Sequence, residues 1–578
     1  MIWNLFLATA LLAADGPQVD AKLPETKADP LENVVNAPKL AETAKFSYIL
    51  RDWKGGAKSY QRLVEANPTV GLYWYRLGYC LLESGRYEEA IPALQKSEEL
   101  GGFAWEIPIG ITFRGESAWA LAAAHARLGQ RDEAIRWTRT SLAQGLRDIR
   151  RFHGEHFRGL LDDLQFREMV WFSDPKADKA VSRDEGLRSD LRFLVHEGKR
   201  IHYAPFRLTP EAEIDAQTRA LEAEIPTLSD DQVFVRMRAL VARFGDGHTQ
   251  VIHNKYAPLP VSFIWLPEGL YIVSALSPHA DLVGARVLKI GETAADEALL
   301  MSQAMASSDN AMSARLRAAD QLRAMVILRG LGMVAGDGPV KLEIEDALGS
   351  TRSVVLEGRD KLSNRKDWLQ QVPGCESPLP LAVRMRSQLY SFERLSDERA
   401  IYCQINGITN DPKESLKDFC ARLFRAVAEP DVDALILDLR YNGGGNTFLN
   451  PPLVDGLISS DKLKKPGSLF VVIGRLTFSA AQNTSTDIER RTGAIFVGEP
   501  TGSRPNFIGE NVMVPLRNSG WSLSVSDLWW QHSSAQDYRT WIPPQLYAPP
   551  TAAALRAHRD PALEVIQRYR TSLKPAKS

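Results

Sequence analysis

The stretch from Ala434 to Gly509 limits what this chain can fold into more than any other. It opens with a short apolar run, Ala434-Leu-Ile-Leu-Asp-Leu-Arg440, followed at once by Tyr441-Asn-Gly-Gly-Gly-Asn446. Further on come Leu469-Phe-Val-Val-Ile-Gly-Arg-Leu-Thr-Phe-Ser-Ala-Ala-Gln482 and Gly498-Glu-Pro-Thr-Gly502. Both apolar runs are too brief for helices and are rich in Leu, Ile and Val, the pattern of parallel strands buried on both faces. The first ends in three glycines, whose amides can approach a ligand closely because no Cβ intervenes. No Gly-Lys-Ser/Thr follows, so this is not a nucleotide-phosphate loop. The second ends in a turn that presents Ser479 just before a helical pattern, Ala480 to Arg491. Unpaired N–H groups and the positive end of the helix dipole favour developing negative charge at such a place. It is also where an ordinary N-cap sits, so this stretch alone leaves Ser479 between a helix cap and an acyl-transfer nucleophile.

The chain around this stretch has 578 residues, long enough for about three or four domains. With 44% hydrophobic and 24% charged residues it has the composition of globular material that buries several cores. Its 70 basic and 71 acidic side chains leave a formal charge of −1, which gives no footprint for nucleic acid or an anionic membrane. Residues 1–14 are apolar and end in small residues before Asp15, as a secretory signal peptide cleaved near Ala14 does; export to a periplasmic or extracellular compartment is therefore expected. That segment is shorter than the roughly 20 residues of a spanning helix, and no membrane span is expected elsewhere. Cys80, Cys375, Cys403 and Cys420 are scattered without metal or redox spacing, and they read as buried small hydrophobes.

Residues 15–41, rich in Pro, Asp, Lys and Ala without apolar period, read as a linker. From 42 to 150 the pattern is helical and repeats. Pro68, Trp74, Leu77, Gly78, Gly85, Tyr87, Ala90 and Leu94 are echoed by Trp119, Ala122, Gly129, Ala134 and Ile135. The offset from Trp74 to Ala90 resembles that of tetratricopeptide repeats, with an irregular insertion near Gly101 to Gly110. Stacked helix pairs of this kind cover one another's apolar faces and leave a concave surface suited to a protein partner. His153-Gly-Glu-His156 lacks further ligands for a metal and reads as part of a solvated linker.

Helices are expected over Leu187 to His196, Pro210 to Glu224 and Ser229 to Phe244, a helical segment of 185–250 that ends in Phe244-Gly-Asp-Gly-His-Thr-Gln-Val251. His248 stands in a tight polar turn where nothing apolar calls for an imidazole, and its ordinary pKa of about 6.5 suits it to activate a serine. His196, His202, His253 and His279 have ordinary settings. Residues 257–360 turn to β character, with strands Val261 to Trp265, Leu270 to Ala275 and Ala285 to Ile290 and a hairpin of Val340 to Ile344 with Ser353 to Leu356. Gly284-Ala-Arg-Val-Leu-Lys-Ile-Gly-Glu292 resembles a strand of PDZ-like domains, here with a helical insert from Ala295 to Gly332. From 379 to 570, strands alternate with helices, which implies an α/β layer fold with crossover connections.

Together, Asp246-Gly-His-Thr249, Asp438-Leu-Arg-Tyr-Asn-Gly-Gly-Gly445, Thr477-Phe-Ser-Ala-Ala481 and Gly498-Glu-Pro-Thr-Gly502 resemble the serine peptidase family of tail-specific (C-terminal-processing) proteases and tricorn cores, over roughly 185–570. The resemblance implies a ClpP/crotonase-like α/β catalytic core, with Ser479 as nucleophile and the amides of Ala480 and of Gly444 or Gly445 as an oxyanion hole. Tail-specific members use a lysine base in Thr-Phe-Gly-Lys-Gly. The matching run here, Thr501-Gly-Ser-Arg-Pro505, holds an arginine, which does not deprotonate in proteins. The likeness therefore shifts to the tricorn branch, where the early histidine, here His248, is the base. Tricorn cores have a serine before it where this chain has Gly247. For the acid that orients the histidine, the resemblance offers Asp537 first and Glu499 second.

The function so implied is that of an exported serine peptidase cleaving peptides or protein C-terminal tails through a Ser–His acyl-enzyme, without metal or cofactor. The PDZ-like module would take or gate a chain end by strand addition. Two other readings stay open. The same core occurs in retinoid-binding repeats of a photoreceptor matrix protein, so a non-catalytic binder of an apolar ligand or peptide is an alternative, as is a repeat scaffold carrying a degenerate hydrolase. An esterase would use the same serine and histidine.

Overall fold

The computed structural model describes residues 30–101, 114–171, 182–359, 367–395 and 398–573. The expected signal segment, residues 1–14, lies outside them. The chain divides into two compact units, Met1–Ala180 and Val181–Ser578.

The first unit is helical. Helices Trp53–Ala66, Gly71–Glu83, Tyr87–Glu99, Glu116–Arg127 and Arg131–Ala143 pair as hairpins. Asp52 starts the first of them by accepting the Gly55 amide at 3.0 Å, which satisfies one of the orphan N–H groups of a helix start. Gly78 is required by packing: a Cβ there would lie 2.4 Å from Leu94 Cγ, where two helices cross. The expected linker is shorter than its composition implies, because Pro30–Ile49 is a helix. His153 and His156 are not solvated either. The first bonds the Val170 carbonyl (2.8 Å), and the second bonds Glu83 (3.2 Å) and packs edge-on against Trp119. Their work is to fix the turns that close this unit.

The second unit is built in three parts. The helices Arg183–Ile201, Glu211–Glu224 and Asp230–Ala242 pack against a small antiparallel sheet in which Gln250–Ile252 and Val512–Pro515 flank Ser522–Val525. A capping box, Ser229 with Gln232, sets the start of the third helix. The β module forms a sheet with the path Val261–Leu266, Gly269–Leu276, Arg286–Ile290, Val340–Glu345, Thr351–Leu356. Its insert folds as Ala295–Ala304, Ala311–Gln321 and Met325–Gly330, and its apolar side chains join the module's core.

The third part is the α/β layer. Its six-stranded sheet runs Leu546–Tyr547, Ile495–Gly498, Leu469–Ile473, Ala434–Asp438, Ala400–Ile405, Tyr390–Leu395, parallel except for the last pair. Every residue of Ala434–Asp438 and Leu469–Ile473 is buried, as strands covered on both faces must be. Alternate residues serve the two faces. Leu435, Leu437, Val471 and Ile473 join the core that includes Leu416–Ala428 and Ala480–Arg491, while Ile436, Phe470 and Val472 face Ala562 and Ile566 of the last long helix. All four cysteines are free thiols, and Cys80, Cys403 and Cys420 are buried.

Candidate active site

The loops that leave the carboxyl ends of two adjacent parallel strands meet here, the usual place for a site in an open α/β sheet. After Leu469–Ile473, Thr477 ties its turn to the neighbouring strand: its hydroxyl donates to the Leu439 carbonyl (2.9 Å) and accepts the Gly474 amide (3.0 Å). The Phe478 amide bonds the Asn442 carbonyl at 3.1 Å. Ser479 then adopts φ 54°, ψ −123°, a left-handed backbone that costs a non-glycine residue about 1–3 kcal/mol and persists only where its surroundings impose it. Its side chain makes no capping bond to the helix Ala480–Arg491. The N-cap reading therefore does not describe this serine.

The glycine loop presses against that turn. A Cβ on Gly444, which has φ 111°, would lie 2.7 Å from Ser479 Cβ and 3.0 Å from the Ala480 nitrogen. Among the expected oxyanion donors, the Gly444 amide is occupied by Asn442 Oδ1 at 3.0 Å. The amides of Ala480 and Gly445 have no acceptor among the described residues.

His248 comes to the same place from the other side. Asp246 shapes its turn: Oδ1 accepts the His248 and Thr249 amides, both at 2.8 Å, and the Ser526 hydroxyl at 2.7 Å, while Oδ2 faces His202 Nε2 at 2.9 Å. Burial would raise this carboxyl, but the bond and charge of His202, with Thr249 and Ser526, outweigh it and hold Asp246 well below the usual carboxylate range. The imidazole lies between the rings of Phe478 (centroids 4.6 Å apart) and Phe507 (5.7 Å, nearly parallel). Phe478 is the residue before Ser479, so the histidine packs on the nucleophile's own turn. Gly247 shows why no serine precedes the histidine: a Cβ there would strike the Phe478 ring at 2.6 Å.

Desolvation between these rings lowers His248 to about 4, against the opposing charge of Asp246 and with help from Arg317. The imidazole is therefore neutral near pH 7. Nδ1 of the ring is buried without a hydrogen-bond partner.

Neither candidate acid hydrogen-bonds this ring among the described residues. Glu499 is locked in a buried fork with Arg475 (3.0 and 2.5 Å), whose other nitrogen reaches the Trp265 carbonyl. Asp537 accepts from Ser533 (2.7 Å) and Arg539 (2.8 and 3.0 Å), and Arg539 lowers it to about 2. Asp537 does line the cavity of about 200 Å³ beside the histidine, with Phe507, Ile508, Trp529, Arg207 and Arg504. No cluster of metal-ligating side chains occurs among the described residues.

Residues 50–104 match the family model described as tetratricopeptide repeat. A search of curated proteins finds no match to this sequence. Solved structures similar to the chain include mature CPAF complexed with lactacystin, at 14% identity and TM-score 0.49 over 68% of this chain and 98% of that one. The photosystem II D1 C-terminal processing protease is similar at 12% identity and TM-score 0.34, over 67% and 97% of the two chains. The tricorn protease is similar at 12% and 0.32, over 68% of this chain and 37% of that one.

Three site residues carried little sequence signal. His202 has a setting that looks ordinary until the fold brings it against Asp246, 44 residues away. Asp309 and Ser503 sit in plain Ser-Ser-Asp-Asn and Gly-Ser-Arg runs, yet they bond each other at 2.8 Å inside the site. Only Asp246, within the histidine motif, was legible as part of a functional turn.

Proposed function

We propose that this chain is an exported serine peptidase that works through a Ser479–His248 acyl-enzyme. The observation that carries the reading is the left-handed, uncapped Ser479 at a strand-to-helix turn, with the unprotonated imidazole of His248 packed on the adjacent Phe478. His248 takes the Ser479 proton as Oγ attacks a peptide carbonyl, and Asp246 supplies negative charge beside the imidazolium. The oxyanion meets the amide of Ala480 at the helix start, with that of Gly445 beside it. One such donor is worth about 100- to 1000-fold in rate. The imidazolium then gives its proton to the departing amine as the C–N bond breaks, and water activated by the same histidine hydrolyses the acyl-enzyme and frees Ser479.

The cavity beside His248 supports a peptide substrate. At about 200 Å³, lined by Asp246, Asp309, Phe507 and Ile508 among others, it has room for one substrate side chain. Among the described residues, Thr351–Leu356 of the β module pairs on one side only and offers an edge for a substrate chain end. The helical repeats present a surface for a protein partner. No described helix is long and apolar enough to cross a membrane.

The test is fluorophosphonate labelling of wild type, Ser479→Ala and His248→Ala, followed by hydrolysis of peptide and ester substrates of one sequence. Labelling of wild type alone, with the peptide turned over, is expected. Ester turnover without peptide turnover would make the protein an esterase, and an unlabelled wild type would favour the binding or scaffold reading.

A further inference from the structure

The helical insert of the β module reaches into the site. Asp309, 5% exposed, lies just ahead of the insert's helix Ala311–Gln321. Its Oδ1 accepts the amide of Gly247, next to His248, at 2.7 Å. Its Oδ2 accepts the Ser503 hydroxyl at 2.8 Å, and the Ser503 oxygen accepts the Ser479 amide at 3.4 Å, a long bond. Neighbouring groups reinforce both links. Arg317 of the same helix donates to the Gly247 carbonyl, and Asn310 donates to the carbonyls of Thr501 (3.0 Å) and Thr540 (2.7 Å).

We propose that Asp309 is a positioning residue for the reaction: one carboxylate oxygen holds the histidine turn and the other, through Ser503, holds the strained serine turn. The inference rests on the serine-hydrolase reading above. Its physical basis is direction. An ionised carboxylate only accepts, so Ser503 must donate to it and keeps a lone pair for the Ser479 amide. Ser479 needs such outside restraint, because its backbone conformation is unfavourable by itself.

The groups facing Asp309 are Asp246 from the histidine turn, Arg317 from its own helix, Arg504 beyond Ser503, and Arg207 across the cavity. Burial and the Asp246 charge push Asp309 up to about 6. A carboxyl raised in the folded state stabilises it in acid, and that contribution is lost as pH rises through about 6. At pH 8 the ionised Asp309 is therefore not held in place for stability.

The test measures fluorophosphonate labelling rate and melting temperature of the full chain as wild type, Asp309→Asn, Ser503→Ala and the double variant, from pH 5 to 8. At pH 8, Asp309→Asn is expected to melt no lower than wild type and yet to label about ten- to a hundredfold more slowly, the scale of a small misplacement of reacting groups. The wild-type rate should show a step near pH 6 that Asp309→Asn lacks. The double variant should be no slower than the worse single one, since both changes break one chain of contacts. If Asp309→Asn does not fold, Ser503→Ala alone carries the same expectation for rate. A labelled wild type with both variants at its rate overturns this proposal alone, as does a rate loss that only follows a drop in melting temperature. An unlabelled wild type overturns the hydrolase reading and this proposal with it.

Discussion

Ser479 and His248 are each held in a state the free amino acid would avoid. For the serine it is a left-handed backbone. Ser479→Gly should therefore stabilise the fold by about 1 kcal/mol, as relief of a positive φ does, while abolishing labelling. Chemical denaturation read beside probe labelling checks both halves, and a destabilised glycine variant would show that the turn carries no strain. For the histidine it is a desolvated ring brought down to about 4. A base with that pKa stays deprotonated through mildly acid solution. The deeper acid limb of kcat/KM should then fall near pH 4, below the step assigned to Asp309, and not at the 6.5 of a free imidazole. The same shift links to stability. The unfolded chain takes up this proton below about 6.5 and the folded one only near 4, so His248 contributes stability that is present above 6.5 and lost as pH falls through 4. A pH–rate profile with its only acid step at 6.5 would contradict the burial argument.

The strands and helices around these residues were legible because their patterns are strong. Ala434–Asp438 and Leu469–Ile473 stand where their apolar runs place them, since a fully buried strand admits little else. What stayed hidden depends on contacts distant in sequence. The pairing of Gln250–Ile252 with Ser522–Val525, which anchors the histidine turn, joins segments more than 250 residues apart and has no local signature. The helical character of Pro30–Ile49 was obscured by its two prolines, Pro30 at the start and Pro38 within. The acid expected to orient the histidine was open for the same reason, because the partners of a carboxylate are a tertiary fact. Glu499 and Asp537 have partners that give them structural work. Glu499→Gln leaves Arg475 buried beside a neutral amide and should destabilise the unit by about 3–5 kcal/mol, the cost of breaking a buried pair, without moving the acid limb of the rate profile. Asp537→Asn should change the labelling rate less than about threefold, since its partners are Ser533 and the half-exposed Arg539, and such pairs are worth about 1 kcal/mol. A shift of the acid limb in either variant would return that residue to the imidazole.

At the scale of the molecule, every residue assigned to the chemistry lies in Val181–Ser578, while the match to tetratricopeptide repeats lies in the other compact unit. A chain beginning at Ser182 should fold and label within about twofold of the full protein, since a compact unit with its own core can fold alone. Loss of labelling on removing residues 1–181 would instead make the repeats part of the enzyme. Within the second unit the helical segment supplies the histidine turn, the β module's insert supplies Asp309, and the α/β layer supplies the serine turn and glycine loop. The account therefore stands on whether these parts activate one hydroxyl. Fluorophosphonate labelling at pH 7 of wild type, Ser479→Ala and His248→Ala measures that directly. A single labelled site in wild type at Ser479, and none in either variant, is the expected result. Equal labelling of wild type and Ser479→Ala, or no labelling of any of the three, would contradict it.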